Sequence, residues 1–207
     1  MGTAILLVAA YLVGSMPFGY WVVRLFRGED IRAKGSGNIG ASNVWRAYGW
    51  RLGLPIVLLD VAKGFVPALV GILLFDDLRG VLAGGAAMAG HYRPLFLGFA
   101  KGGKTVATAA GVFLAVAPLV GLTAAAVWIF CFVVFRYASL ASIAAAVAIP
   151  VVAWLYGEPW PTVVFSLGAA VAVVLLHRPN IGRLRRGEEP RAQLRRRRGA
   201  PASTATS

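Results

Sequence analysis

The sequence predicts an all-α polytopic membrane protein with seven transmembrane helices, its N-terminus outside and its C-terminus in the cytoplasm. Three observations point there. Of the 207 residues, 58% are hydrophobic and only 14% charged, against roughly 25% charge in a soluble domain. Apolar runs of about 18 or more residues, long enough to cross a bilayer as helix, recur along the chain. The 21 Lys and Arg residues, which against 8 acidic ones give a net charge of +13, are clustered: six lie between Arg24 and Arg51 and nine follow His177. Basic clusters beside apolar spans mark cytoplasmic loops.

The charge reads first as topology and second as contact with anionic lipid headgroups. No soluble nucleic-acid-binding fold accompanies it, so nucleic acid is not a partner. Cys131 stands alone in an apolar run, which leaves no disulfide framework and no thiolate metal site. No polar linker is long enough to divide the chain. Residues 1–190 are expected to form a single membrane-embedded domain and 191–207 a basic, disordered cytoplasmic tail carrying Arg195–Arg198.

In order, the first span covers about Thr3–Phe26 and should kink at SMPFG, where Pro17 and Gly19 weaken regular helix. Residues 1–23 lack a basic leading segment, so this is an N-out helix rather than a cleaved signal. The second span covers about Leu52–Phe75 and contains Asp60 and Lys63. After a short outer turn at Asp76–Arg79, a third covers about Gly80–Leu97, rich in Gly and Ala for close helix packing.

Residues 105–135 as one helix would be about 46 Å long at 1.5 Å per residue, too long for a roughly 30 Å hydrocarbon core. The basic segment before it and the Arg-rich end of the chain should both be cytoplasmic, which requires an even number of crossings between them. Spans near 139–156 and 161–176 supply two, so 105–135 should supply two more, broken near Pro118–Gly121. Gly157–Trp160 is then an outer turn, with Trp154 and Trp160 in the interfacial belt.

Three polar, glycine-punctuated cassettes interrupt this oily chain: GSGNIGASNVWR at 35–46, KGGKTVAT at 101–108 and HRPNIGRLRRGEE at 177–189. In the first, closely spaced glycines let backbone amides point at an anion. Ser36, Asn38, Ser42 and Asn43 add side-chain donors, and Arg46 can fork onto two phosphate oxygens. In the second, Lys101 and Lys104 bracket glycines that lead into an apolar helix, whose free amides and positive end would face the anion. Gly98–Thr105 spells G-x-x-x-x-G-K-T, the nucleotide P-loop pattern. That motif needs a preceding β-strand and an α/β domain, and here both flanks are membrane spans. In the third, His177 leaves the last span and Asn180 lies three residues on, close to one helical turn, with Pro179 between them.

Each cassette has a plainer reading: a capped loop, basic residues anchoring a helix end, an interfacial histidine. Asp60 and Lys63, three apart within a span, read as a structural ion pair near the site. His91 in GHYRP reads as helix packing or termination, Ser142 as facing the site or bonding its own backbone, and Glu189 as a charge-pairing scaffold. No metal-binding set and no nucleophile beside a base is apparent, so neither a metal nor a covalent acyl-enzyme is expected.

The cassettes resemble those of the acyl-phosphate-dependent glycerol-3-phosphate acyltransferases of bacteria, the PlsY-type membrane family. The pattern GSGN-x-GATN-x-x-R is similar to Gly35–Arg46, KGGKGVAT to Lys101–Thr108, and H-x-x-NI-x-RL-x-x-G-x-E to His177–Glu189. SxPFG at Ser15–Gly19, LDxxKG at Leu59–Gly64 and a GHxxP-like segment at Gly90–Pro94 also fit, so the likeness spans about residues 11–190. Ser42 stands where Thr is usual, and Thr105 where the pattern has Gly.

The resemblance implies a seven-helix enzyme of the bacterial inner membrane, its site facing the cytoplasm, acting as a monomer without a cofactor. It would transfer an acyl group from acyl-phosphate to the 1-hydroxyl of sn-glycerol 3-phosphate in phospholipid synthesis. By motif, Ser36, Arg46, Lys104, Ser142, His177 and Asn180 would hold glycerol 3-phosphate, and all of these except Ser142 would be catalytic. The backbone of Lys101, Gly102, Gly103, Lys104 and Thr105, with Asn38 and Asn43, would hold the acyl-phosphate group. The proton acceptor is either His177 or a substrate phosphate oxygen. The alternative without the resemblance is a small-anion or phosphate-ester transporter. A transporter places its polar site near the bilayer midplane, whereas these cassettes gather at one face.

Overall fold

The computed structural model describes residues 1–192, and among these the chain is helical throughout, with no strand. In chain order the helices are α1 (Gly2–Gly14), α2 (Phe18–Arg27), α3 (Ala41–Tyr48), α4 (Trp50–Leu74), α5 (Asp77–Tyr92), α6 (Val106–Val116), α7 (Pro118–Phe135), α8 (Ala138–Leu155), α9 (Trp160–Leu176) and α10 (Arg178–Arg185). Of the expected basic tail only Arg191 and Ala192 fall within the described residues; Arg195–Arg198 lie outside them.

Every segment expected to cross the membrane is helical, but not every one has the length of a span. Four helical units are long and apolar enough: α1 with α2 taken as Gly2–Arg27, α4, α7 and α8. The pair α9–α10, bent by 56° at their junction, would make a fifth. At 16 and 11 residues, α5 and α6 reach only about 24 and 17 Å.

The breaks have local causes. Between α1 and α2, Pro17 lacks an amide and pushes Met16 away from helical backbone, so the expected kink at SMPFG is a complete interruption over Ser15–Pro17. The break in 105–135 falls at Ala117, and Pro118 opens α7 at the first helical position, where its missing amide costs nothing. The third span does not continue to Leu97 as its composition suggested. Pro94 cannot extend it, α5 stops at Tyr92, and a short 3-10 turn at Leu95–Leu97 follows. The phenol of Tyr11 donates to the Arg93 carbonyl just past this end.

Small residues let the backbones approach closely. A side chain at Gly14 would collide with the Ala87 carbonyl, seating α1 on α5. One at Gly64 would collide with the Thr108 carbonyl, seating α4 on α6. The apolar core lies where α6 meets α7, α8 and α9, around Phe113, Val112, Val120, Ile149 and Ala169. A second cluster of Val23, Ile31, Ile39, Val44 and Ile56 packs α2, α3 and α4 beneath the first cassette. These two cores fix where the polar loops emerge.

Candidate active site

The loop before α3 is built by its own amides. Gly35 and Gly37 take left-handed backbone, with φ of 55° and 68°. Asn43, buried in the first turn of α3, organises the curve. Its Oδ1 accepts from the Ser36 amide at 3.0 Å, and its Nδ2 donates to the Lys34 and Asn38 carbonyls, each at 2.9 Å. Asn38 Oδ1 accepts from the Gly40 amide at 2.7 Å, and its Nδ2 donates to the Gly102 carbonyl at 3.2 Å. Both side chains therefore shape the loop, and Asn38 ties it to the second cassette. The Ser36 hydroxyl stays exposed, with Arg46 Nη2 at 3.4 Å.

The second cassette is anchored to the end of α5. The Gly102 amide donates to the Tyr92 carbonyl at 2.9 Å and the Gly103 amide to the His91 carbonyl at 3.0 Å. These two amides were expected to face an anion; instead they satisfy orphan carbonyls at a helix C-terminus. The free donors lie further on. The first intrahelical bond of α6 runs from the Ala109 amide to the Thr105 carbonyl at 2.7 Å, so the amides of Val106, Ala107 and Thr108 precede the helical ladder, at the positive end of the helix. Thr105 takes a left-handed backbone with φ of 61°, and its hydroxyl is buried without a hydrogen-bond partner.

The third cassette bends rather than unwinds. His177 closes α9 and opens α10, with Pro179 in the first turn, where its missing amide is tolerated. His177 Nδ1 lies 2.8 Å from the Val173 carbonyl. A carbonyl only accepts, so the proton sits on Nδ1 and Nε2 keeps a lone pair.

From α10 a polar chain runs inward. Lys104 Nζ donates to Asn180 Oδ1. Asn180 Nδ2 donates to Glu189 Oε1 at 2.7 Å, which also accepts from the Ser139 hydroxyl at 2.7 Å, while Arg183 Nε donates to Glu189 Oε2 at 2.7 Å. Burial of the Glu189 carboxyl opposes its ionisation, but the hydrogen bonds from Ser139, Asn180 and Arg183 hold it below the usual carboxylate range. Glu189 is the scaffold its sequence context suggested. The segment after it is fastened too: the Ala192 amide donates to the Arg136 carbonyl at 2.8 Å and Arg136 Nε donates to the Ala192 carbonyl at 3.1 Å.

All three cassettes line one small cleft of about 80 Å³. Ser36, Gly37 and Asn38 come from the first, Lys101 and Lys104 from the second, Pro179, Asn180 and Arg183 from the third, with Leu176 at the end of α9. Partial burial is the main cause that lowers the Lys104 ammonium to about 8; Glu189 pulls it up, and Arg183, Arg46 and Lys101 push it down. Four cations around one carboxylate leave an excess of positive charge at the cleft, which suits a phosphate. Among the described residues no set of His, Cys, Asp and Glu is arranged to hold a metal ion.

The sequence profile of the glycerol-3-phosphate acyltransferase family matches residues 4–187. A glycerol-3-phosphate acyltransferase of Desulforudis audaxviator is 46% identical over 187 residues, covering 90% of this chain and 94% of that one. One from Synechococcus sp. is 46% identical over 192 residues, covering 92% and 96%. The chain belongs to the glycerol-3-phosphate acyltransferase family. The solved structure of PlsY, described as an integral membrane glycerol 3-phosphate acyltransferase in its glycerol 3-phosphate form, superposes with a TM-score of 0.90 at 40% identity, covering 93% of this chain and 96% of that one. Its lysophosphatidic acid form superposes with a TM-score of 0.87 at 38% identity, with the same coverage. As a member of this family the chain is an integral membrane acyltransferase, which sets aside the transporter alternative.

Within this acyltransferase the structure brings Ser36, Asn38, Lys101, Lys104 and Asn180 to one cleft, with Arg46 on Ser36 and His177 directly before the residues of α10 that line it. Ser142 is not among the residues lining that cleft. Its hydroxyl donates to the Ala138 carbonyl at 2.7 Å and accepts from Trp128 Nε1 at 3.0 Å. Asn43 is likewise occupied within its own loop. Sequence reasoning overlooked Arg183. Its signal was spacing, because three residues past Asn180 on a helix is the same face.

Proposed function

We propose that this chain transfers the acyl group of an acyl-phosphate to the 1-hydroxyl of sn-glycerol 3-phosphate, giving 1-acyl-sn-glycerol 3-phosphate (lysophosphatidic acid) and inorganic phosphate. The observation that carries this reading is the convergence of Lys101, Lys104 and Arg183, with Arg46 close by, on a cleft bordered by helix ends. Both substrates carry phosphate, and the donor also carries a chain that lipid-facing helices can accommodate.

Glycerol 3-phosphate is held by Ser36, Arg46, Lys104, His177 and Asn180, with Arg183 added from the geometry. The phosphate of the donor sits on Lys101 and the unpaired amides that open α6. An acyl-phosphate is a mixed anhydride and needs no further activation. The substrate hydroxyl oxygen bonds to the acyl carbon, the bond from that carbon to the bridging phosphate oxygen breaks, and phosphate leaves. The hydroxyl proton passes to His177 Nε2, whose lone pair the Val173 contact keeps free, or to a phosphate oxygen. Positioning and charge neutralisation supply most of the acceleration.

The reading extends to the whole chain: seven spans in a single domain over 1–190, N-terminus outside, the cassettes at the cytoplasmic face of a bacterial inner membrane, active as a monomer without a cofactor. The short α5 and α6 would cross with loops completing their length. A competition assay tests the donor. Purified protein offered acyl-phosphate or acyl-CoA with labelled glycerol 3-phosphate should use the former alone; equal use of acyl-CoA would overturn the donor assignment.

A further inference from the structure

The second cassette lies on a buried side chain that the reaction does not use. His91, 4% exposed in the last turn of α5, presents Nε2 to Gly103. A Cβ added at Gly103 would collide with the imidazole ring, and the nearest atoms it would meet all belong to that ring. The ring is backed from α4: Asp60 Oδ1 lies 3.8 Å from His91 Nδ1 and 2.8 Å from Lys63 Nζ. Lys63 Nζ also donates at 2.9 Å to the Met16 carbonyl in the break between α1 and α2. The pair walls in the ring without hydrogen-bonding it, since His91 Nδ1 is buried with no hydrogen-bond partner, and the ring supports the residue directly before Lys104.

Gly102 differs in an informative way. A side chain there would strike the His91 carbonyl oxygen, which is backbone, not the ring. Both glycine amides are sewn to α5, but only Gly103 rests on the imidazole.

We propose that His91 is a positioning residue for this acyltransferase: its ring, buried against the Asp60–Lys63 pair, sets the height of the Lys101–Thr105 loop and so aims Lys104 at glycerol 3-phosphate. The assignment rests on the proposed reaction, in which Lys104 binds that substrate. A displacement of about 1 Å at a binding group can cost on the order of 100-fold in rate, so a ring of this size under the loop has leverage.

The test is a set of paired variants. His91→Asn keeps an amide toward Asp60 and removes the outer edge of the ring. Alone it should lower kcat/KM at least about tenfold, with KM for glycerol 3-phosphate rising while unfolding in detergent shows a folded protein. A role in stability only would reduce the folded fraction and leave KM unchanged, which overturns the proposal. Gly103→Ala should lose activity through the collision, and Gly103→Ala with His91→Asn should recover at least about tenfold over Gly103→Ala alone. Gly102→Ala should gain nothing from His91→Asn, because its obstacle is the carbonyl. No recovery at 103, or equal recovery at 102 and 103, overturns the proposal. If the unaltered protein turns over no substrate, the proposed function fails instead. The seat is then read from Tm, which Gly103→Ala should lower and His91→Asn restore; no restoration overturns it.

Discussion

Lys104 and Asn180, 76 residues apart, meet through one hydrogen bond from the ammonium to the amide oxygen, and the nitrogen of the same amide donates to Glu189. The amide is therefore oriented from both sides. It presents an acceptor to a cation and a donor to a carboxylate, which neither Ala nor Asp reproduces. Asn180→Ala should lower kcat/KM at least tenfold, or about 1.4 kcal/mol, measured by steady-state kinetics on protein of verified fold. A change under twofold would remove Asn180 from the site.

Asn43 should behave as a structural residue. Its three bonds at 2.9–3.0 Å are internal, and removing a buried partner strands the groups it served. Asn43→Ala should destabilise the protein by about 2 kcal/mol, read as a lowered Tm. Asn43→Asp should not rescue it, because a carboxylate cannot donate to the Lys34 and Asn38 carbonyls. Unchanged Tm with lost activity would return Asn43 to substrate binding.

Thr105 occupies left-handed backbone at φ of 61°, a strained conformation for a β-branched residue. Its buried hydroxyl has no partner. Thr105→Gly removes both penalties and adds chain entropy to the unfolded state, so a net gain of about 1 kcal/mol is expected, seen as a raised Tm. A lowered Tm would mean the Thr methyl packs more than its backbone strains.

The Lys104 ammonium, lowered to about 8, is charged below that pH and neutral above it. If it binds a substrate phosphate, kcat/KM should fall as pH rises through about 8, since this ratio reports ionisations of the free enzyme and free substrates. Lys104→Arg replaces it with a cation that does not titrate in this range and should flatten that alkaline limb whatever its absolute rate. A limb that persists in Lys104→Arg would belong to another group.

Much of the scaffold was legible because apolar runs, Pro17, Pro118 and the basic clusters are direct statements about helices and their ends. The end of α5 was misjudged although GHYRP carried its own stop at Pro94; composition alone favoured running on to Leu97. Ser36, Lys101, Lys104 and Asn180, expected from polar side chains at helix ends beside glycines, come together at one cleft. Asn43 and Ser142 show the limit, because an amide or hydroxyl suited to a phosphate is equally suited to its own loop or helix backbone, which is where these two bond. The same holds for the Gly102 and Gly103 amides, which close α5. Nor could the sequence show that Glu189 would reach Ser139, 50 residues earlier, because that depends on how α8 and α10 pack.

The most direct test of the proposed acyl transfer between two phosphate-bearing substrates is a single product measurement. Purified protein is given acyl-phosphate and glycerol 3-phosphate, and both products are quantified by mass spectrometry and phosphate assay. Lysophosphatidic acid and inorganic phosphate should appear in equal amounts, and neither should form enzymatically when glycerol 3-phosphate is left out. Phosphate released enzymatically without glycerol 3-phosphate, or no turnover by well-folded protein, would contradict it.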